Sequence, residues 1–182
     1  MKPSLVIIGL GNPGDAYRRT RHNVGFFAVD TLADAFGTGE WKPADKFRAM
    51  RCEGRIVTVP ILLVRPQTFM NDSGDCIRRL RDFYKLDPAA FVVLCDDIDL
   101  PLGTVRMRKT GGPGTHNGLK SVVDVLGEGF PRIRIGIGPK PDGADLAAWV
   151  LSVCTKEESA ALDDAVKTLP VLVRELVVND KA

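Results

Sequence analysis

The chain has 182 residues, 45% of them hydrophobic and 26% charged, with a formal net charge of +2. These proportions fit one soluble globular domain with a full core. They exclude a transmembrane helix, because no run of about 18 apolar residues occurs, and the chain becomes strand-like too early to leave room for a signal peptide. A cytoplasmic protein is therefore expected.

In chain order, an apolar strand over 4–9 runs into a polar, glycine-rich loop, Gly9-Leu-Gly-Asn-Pro-Gly14, that continues to Thr20-Arg-His-Asn-Val-Gly25. The spacing Gly9-x-Gly11-x-x-Gly14 imitates a dinucleotide-binding fingerprint, but the context is wrong. Pro13 precedes the last glycine, and helical apolar spacing begins only at Phe26, Phe27, Val29 and Leu32. A helix over 24–36 is predicted. Two strand-like runs follow, 46–53 and 55–64, split by Gly54. They predict an antiparallel hairpin instead of the crossover a nucleotide-cofactor enzyme needs.

A helix over 70–84 comes next, then a buried-looking strand over 91–95 that ends in acids. The run Val92-Val-Leu-Cys-Asp-Asp97 mimics the magnesium-binding strand of a nucleotide triphosphatase, but no phosphate-loop motif accompanies it. A short strand over 104–108 precedes a glycine-rich turn over 110–115. A helix over 116–126 leads to a strand over 132–138. A Pro/Gly segment and a short helix at 145–151 follow. The final helix starts at the capping-box pattern Thr155-x-x-Glu158 and is kinked or divided by Pro170. This alternation predicts an α/β fold: a single domain over 1–182, with a mixed central sheet covered by helices on both faces.

The informative polar residues cluster after predicted strand ends: Asn12 and His22, then Asn71, then Asp96, Asp97 and Asp99, then His116 and Asn117. Ligands of open α/β sheets bind beyond the carboxyl ends of strands. No serine lies in a nucleophile elbow. Cys52, Cys76, Cys95 and Cys154 are isolated, without metal-ligand or disulfide spacing. Neither a metal nor a cofactor is expected. What remains is a histidine base oriented by a carboxylate, with asparagines binding substrate. Local readings stay open: Asn71 could cap the helix that follows it, and Asn117 could be a turn residue. Residues 100–141 carry seven Lys/Arg against two acids, and residues 142–182 carry four against eight. A basic middle beside an acidic tail suits an anionic partner, phosphate first.

Together the motifs resemble the bacterial-type peptidyl-tRNA hydrolase family. The blocks in question are Gly9–Gly14, Thr20–Gly25, Pro66-Gln-Thr-Phe-Met-Asn-Asp-Ser-Gly74, Asp96-Asp-Ile-Asp-Leu-Pro101, Gly114-Thr-His-Asn-Gly-Leu-Lys-Ser121 and Phe130-Pro-Arg-Ile-Arg-Ile-Gly-Ile-Gly138. They stand in the family's order. The resemblance implies hydrolysis of the ester between a peptide and the terminal ribose of tRNA, by a monomer that needs no membrane. It implies His22 as general base, Asp96 as the carboxylate that orients it, and Asn12 as the group that recognises an N-blocked substrate. Tyr17, Phe69, Met70, Asn71, His116, Asn117 and Arg134 fall on substrate-binding positions, and Arg106 and Arg108 on a phosphate clamp that usually carries lysines. The segment 138–150 is expected to form a mobile lid. Pro113 departs from the family's turn and should stiffen it. The chain also ends earlier than many relatives. A non-catalytic RNA-binding module on the same fold is the alternative.

Overall fold

The computed structural model describes residues 2–179. Its strands are β1 (Leu5–Gly9), β2 (Lys42–Ala44), β3 (Ala49–Ile56), β4 (Val59–Pro66), β5 (Phe91–Pro101), β6 (Val105–Arg108) and β7 (Arg132–Gly138). They form a seven-stranded sheet in the order β2-β3-β4-β1-β5-β7-β6. The four inner strands β4, β1, β5 and β7 are parallel, and β2, β3 and β6 add antiparallel edges. The inner strand β1 and the first half of β5, Phe91–Cys95, are apolar runs because helices cover both of their faces.

Helices α1 (Val24–Phe36), α5 (Lys156–Lys167) and α6 (Leu169–Asn179) bury one face, around Ile7, Leu32, Leu94, Ile135 and Leu169. Helices α2 (Ser73–Tyr84) and α3 (Asn117–Leu126) bury the other, around Ile8, Val64, Ile77, Val93 and Val122. A short helix, α4 (Leu146–Val150), adds Val150 to the first of these faces, with Leu146 and Trp149 packed against it. Each large apolar side chain so buried contributes about 1.5–3 kcal/mol. The capping box of α5 forms as predicted, with Thr155 and Glu158 each satisfying the other's backbone N–H. Pro170 divides the tail: it occupies the second residue of α6, in the first turn, where its missing N–H costs nothing. The early end expected of the chain falls beyond 179, outside the described residues. Among the described residues no helix is long and apolar enough to cross a membrane.

Two sequence expectations need correction. The hairpin does not turn at Gly54, which pairs with Ile61 inside β3. It turns at Val57-Thr58, where Val57 takes φ 55°, a conformation that β-branched residues rarely adopt. Gly54 serves the end of α1 instead: a Cβ there would stand 2.6 Å from the Phe36 carbonyl oxygen. The second correction concerns the acids. Asp96, Asp97 and Asp99 do not follow β5 but lie within it. β1 ends at its Gly9–Leu94 pairing, so β5 runs on past its neighbour and carries Asp96 beyond the central strand's end.

Candidate active site

An open cleft of about 1120 Å³ lies beyond the carboxyl ends of the parallel strands, reached by Asn12, His22, Met70, Asp96, His116 and Arg134. Its chemical centre is Asp96, which is almost fully buried. His22 sits on a single 3₁₀ turn just before α1. Its Nδ1 lies 2.9 and 3.0 Å from the two Asp96 carboxylate oxygens. His116, the residue that caps α3, reaches Asp96 from the other side, with Nε2 2.8 Å from Oδ1. The two rings stand 4.9 Å apart.

The remaining hydrogen bonds assign the protons. The Leu119 backbone N–H donates to His116 Nδ1 at 3.1 Å. A neutral His116 must then carry its proton on Nε2 and donate it to Asp96. Facing a carboxylate, His22 likewise donates from Nδ1, which leaves Nε2 as an acceptor with no protein partner among the described residues. Burial alone would raise the Asp96 pKa. The two imidazoles, His116 before His22, and the hydrogen bonds they donate outweigh burial and hold the carboxyl well below the usual carboxylate range.

His22, Asp96 and His116 place ligand-capable atoms within 4.8 Å of one another. A cation among them would need the lone pair of His116 Nε2. That nitrogen carries the ring's proton, because Nδ1 is committed as acceptor to Leu119, so the donor set does not suit a metal. The thiols are no better nucleophiles. All four cysteines are buried and free. Burial pushes the Cys76 thiol up to about 12 and that of Cys95 higher still, far from reactive thiolates.

Asn12 is also buried and tightly oriented. Its Oδ1 accepts from the Met70 backbone N–H at 2.8 Å, so its Nδ2 donors are left for the cleft. Its backbone is clamped in turn: the Asn23 side chain accepts from the Asn12 N–H and donates to the Asn12 carbonyl, both at 2.9 Å. Sequence reasoning assigned Asn23 no role. Its position one residue after His22 was visible, but a clamp on Asn12 requires the loop to fold back. Asn71 is exposed and makes no capping hydrogen bond; α2 begins without any side-chain cap. Asn117 is also exposed, with Oδ1 accepting from Lys120 at 3.4 Å. Met70 is buried.

At the rim, Phe69 is 57% exposed and meets Tyr17 edge-on, with ring centroids 6.2 Å apart. The β6–β7 register adds a feature the sequence hid. Arg106 pairs opposite Arg134, and Arg108 opposite Arg132. Directly opposed residues share a face, so four guanidinium groups lie on one face of these strands. The alternating residues Ile133 and Ile135 enter the core, with Val105 and Met107 packed against them. Arg106 and Arg108 are exposed. Arg134 is tied to Asp97 at 2.6 Å. Arg132 is buried, stacks over Phe130 at 4.0 Å and donates to the carbonyls of Gly112, Glu128 and Phe130. It thus anchors the start of the glycine-rich turn.

Of the nucleotide-like glycines, Gly9 has a packing role, which it shares with Gly25. A Cβ on Gly9 would lie 2.1 Å from the Gly25 carbonyl oxygen, and one on Gly25 would lie 2.4 Å from the Leu10 oxygen. They let α1 approach β1 closely and leave no room there for a pyrophosphate.

A parallel-centred α/β sheet, a carboxylate-held imidazole with one free nitrogen and an arginine-lined cleft are the parts a hydrolase of anionic substrates uses. Comparison with known proteins agrees. The sequence pattern described as peptidyl-tRNA hydrolase matches residues 6–182. The chain is 44% identical to a peptidyl-tRNA hydrolase of Alkaliphilus metalliredigens over 180 residues, covering 97% of this chain and 96% of that one. It is 46% identical to a peptidyl-tRNA hydrolase of Chloroflexus aggregans, covering 96% and 93%. The crystal structure of peptidyl-tRNA hydrolase from Acinetobacter baumannii superposes with a TM-score of 0.91 at 35% identity, covering 99% of this chain and 91% of that one. The chain belongs to the peptidyl-tRNA hydrolase family.

Proposed function

We propose that this protein hydrolyses the ester joining a peptide to the terminal ribose of tRNA, with His22 as the general base. The observation that carries this reading is the His22–Asp96 contact, with Nδ1 committed to the carboxylate and Nε2 open to the cleft. Nε2 takes a proton from water as that water attacks the ester carbonyl. Asp96 holds the working tautomer and stabilises the imidazolium without itself becoming protonated. The proton then passes to the departing ribose oxygen.

Asn12 reads the acyl end. Its Nδ2 donors match the carbonyl of a blocked amino group, whereas a free ammonium would set donor against donor. The Tyr17–Phe69 pair offers a ring surface for the terminal base. Asn71 and Asn117 supply carboxamides along the groove, and Met70 an apolar wall. Arg106 and Arg108 hold acceptor-stem phosphates, contacts that position without reading sequence. The segment 138–150 covers the groove as a lid. The protein acts as a monomer in the cytoplasm. A purely RNA-binding role is not favoured, because the relatives that match along nearly the whole chain are peptidyl-tRNA hydrolases.

The test is release of deacylated tRNA from N-acetyl-aminoacyl-tRNA, compared with the unblocked form. Rapid release from the blocked substrate alone is expected. Equal turnover by His22→Ala and the parent protein would remove His22 from its role.

A further inference from the structure

We propose that Arg21 is a positioning residue for the reaction: one guanidinium fixes both the turn that carries His22 and the α4 wall of the cleft. This rests on the reading of His22 as the base.

Arg21 is 7% exposed and precedes His22 in the chain. Its Nη2 donates to both Glu158 carboxylate oxygens, at 2.7 and 2.6 Å, and its Nε to one of them at 3.2 Å. Glu158 in turn accepts from the Thr155 N–H at 2.7 Å, so the pair is anchored in the first turn of α5. The other arm of the fork, Nη1, faces the end of α4. It donates to the Ser152 hydroxyl and to the carbonyls of Ser152, Trp149 and Val153, the last three at 3.2, 3.4 and 3.4 Å. The guanidinium also stacks on the Trp149 ring at 5.1 Å.

The backbone repeats the connection. The Arg21 N–H donates to the Ser152 carbonyl, the Cys154 N–H donates to the Arg19 carbonyl, and Thr20 bridges Val153. On the cleft side of the same stretch, Leu146, Ala147, Val150 and Leu151 line the groove. His22 is therefore held from two directions: Asp96 sets its ring, and Arg21 sets its backbone. His116, carried by α3, shares Asp96 with His22, but among the described residues it makes no hydrogen bond to Arg21, Glu158 or the end of α4. A lysine could replace the charge but not the fork that spans carboxylate and carbonyls together.

The experiment compares Arg21→Met, Arg21→Lys and Glu158→Gln with the parent full-length protein. Turnover of N-acetyl-aminoacyl-tRNA is measured alongside the NMR signals of the two imidazole rings. Arg21→Met is expected to lower kcat about 10- to 100-fold, as small misplacements of a catalytic group do, with a smaller change in KM. The His22 signals should shift or broaden more than those of His116, which Arg21 does not hold. Arg21→Lys should recover part of the loss. Adding Glu158→Gln to Arg21→Met should cost nothing further, because the two act as one unit.

Parent-level kcat with unmoved His22 signals overturns the proposal. Equal displacement of both rings also overturns it, since that pattern marks a general loosening of the fold. If Arg21→Met does not fold, Arg21→Lys and Glu158→Gln carry the same two readouts. The ring signals report position whether or not His22 is the base, so a failure of the general-base reading shows separately, in His22→Ala.

Discussion

His22 and His116 donate to the same Asp96 carboxylate, yet the fold leaves them with different chemistry. Both of His116's nitrogens are spent, one on Asp96 and one on the Leu119 N–H. His22 spends one and keeps the other toward the cleft. The difference lies in the backbone that carries each ring. A helix N-terminus has unsatisfied N–H groups, and His116 caps one of them. His22 sits on a short turn where the Arg21 N–H donates to the Ser152 carbonyl and the Asn23 N–H to the Thr20 carbonyl, so neither draws on the ring. Placement relative to a helix end, more than distance to the acid, thus leaves one imidazole with an uncommitted nitrogen and the other with none.

The sharpest way to break this contrast is His22→Ala, for which loss of a general base predicts a kcat drop toward about 10⁴-fold with tRNA binding retained. Asp96→Asn removes the anion that both rings share and frees the wrong His22 tautomer. A loss of about 10²–10³-fold in kcat is expected from the same general-base range. His116→Ala should cost only about tenfold in kcat, equivalent to ~1.4 kcal/mol, because the base survives with one supporting hydrogen bond fewer. A loss matching that of His22→Ala would erase the distinction between the rings.

Asp96 also gives the comparison a pH signature. Its folded-state pKa is depressed, so the stability it contributes is fully present above the unfolded value of about 3.9. That contribution is lost as pH falls through the lower folded value. Urea unfolding followed from pH 5 to pH 3 should therefore show a steeper decline for the parent than for Asp96→Asn. The smallest effect belongs outside the triad. Arg106→Ala and Arg108→Ala should weaken tRNA binding and each reduce the salt slope by about one phosphate contact, without altering kcat at saturation.

Much of this site was legible because it is local. The polar turn after β1, the start of α1 at Val24 and the capping box at Thr155 are written in neighbouring residues. The hairpin turn was not, because Val57-Thr58 carries none of the usual turn chemistry and reads as strand. Three features depended on long-range pairing. His116 meets Asp96 only because α3 starts beside the overrunning end of β5. Asn23 clamps Asn12 only because the loop closes on itself. The four arginines share a face only through the β6–β7 register. Periodicity could show that Arg106 and Arg108 point the same way, but not that Arg132 and Arg134 join them.

The position of β6 has a consequence for the protein's solution behaviour. It is the last strand of the sheet, four residues long, and one side of its backbone has no neighbouring strand. Charged side chains on such a border discourage another chain from adding to it. The opposite border, β2, is three residues long and contains Lys42 and Pro43, a second obstacle to strand addition. Arg106 and Arg108 put such charge on this border while also lining the groove. Variants that neutralise both are expected to show concentration-dependent light scattering that the single variants lack.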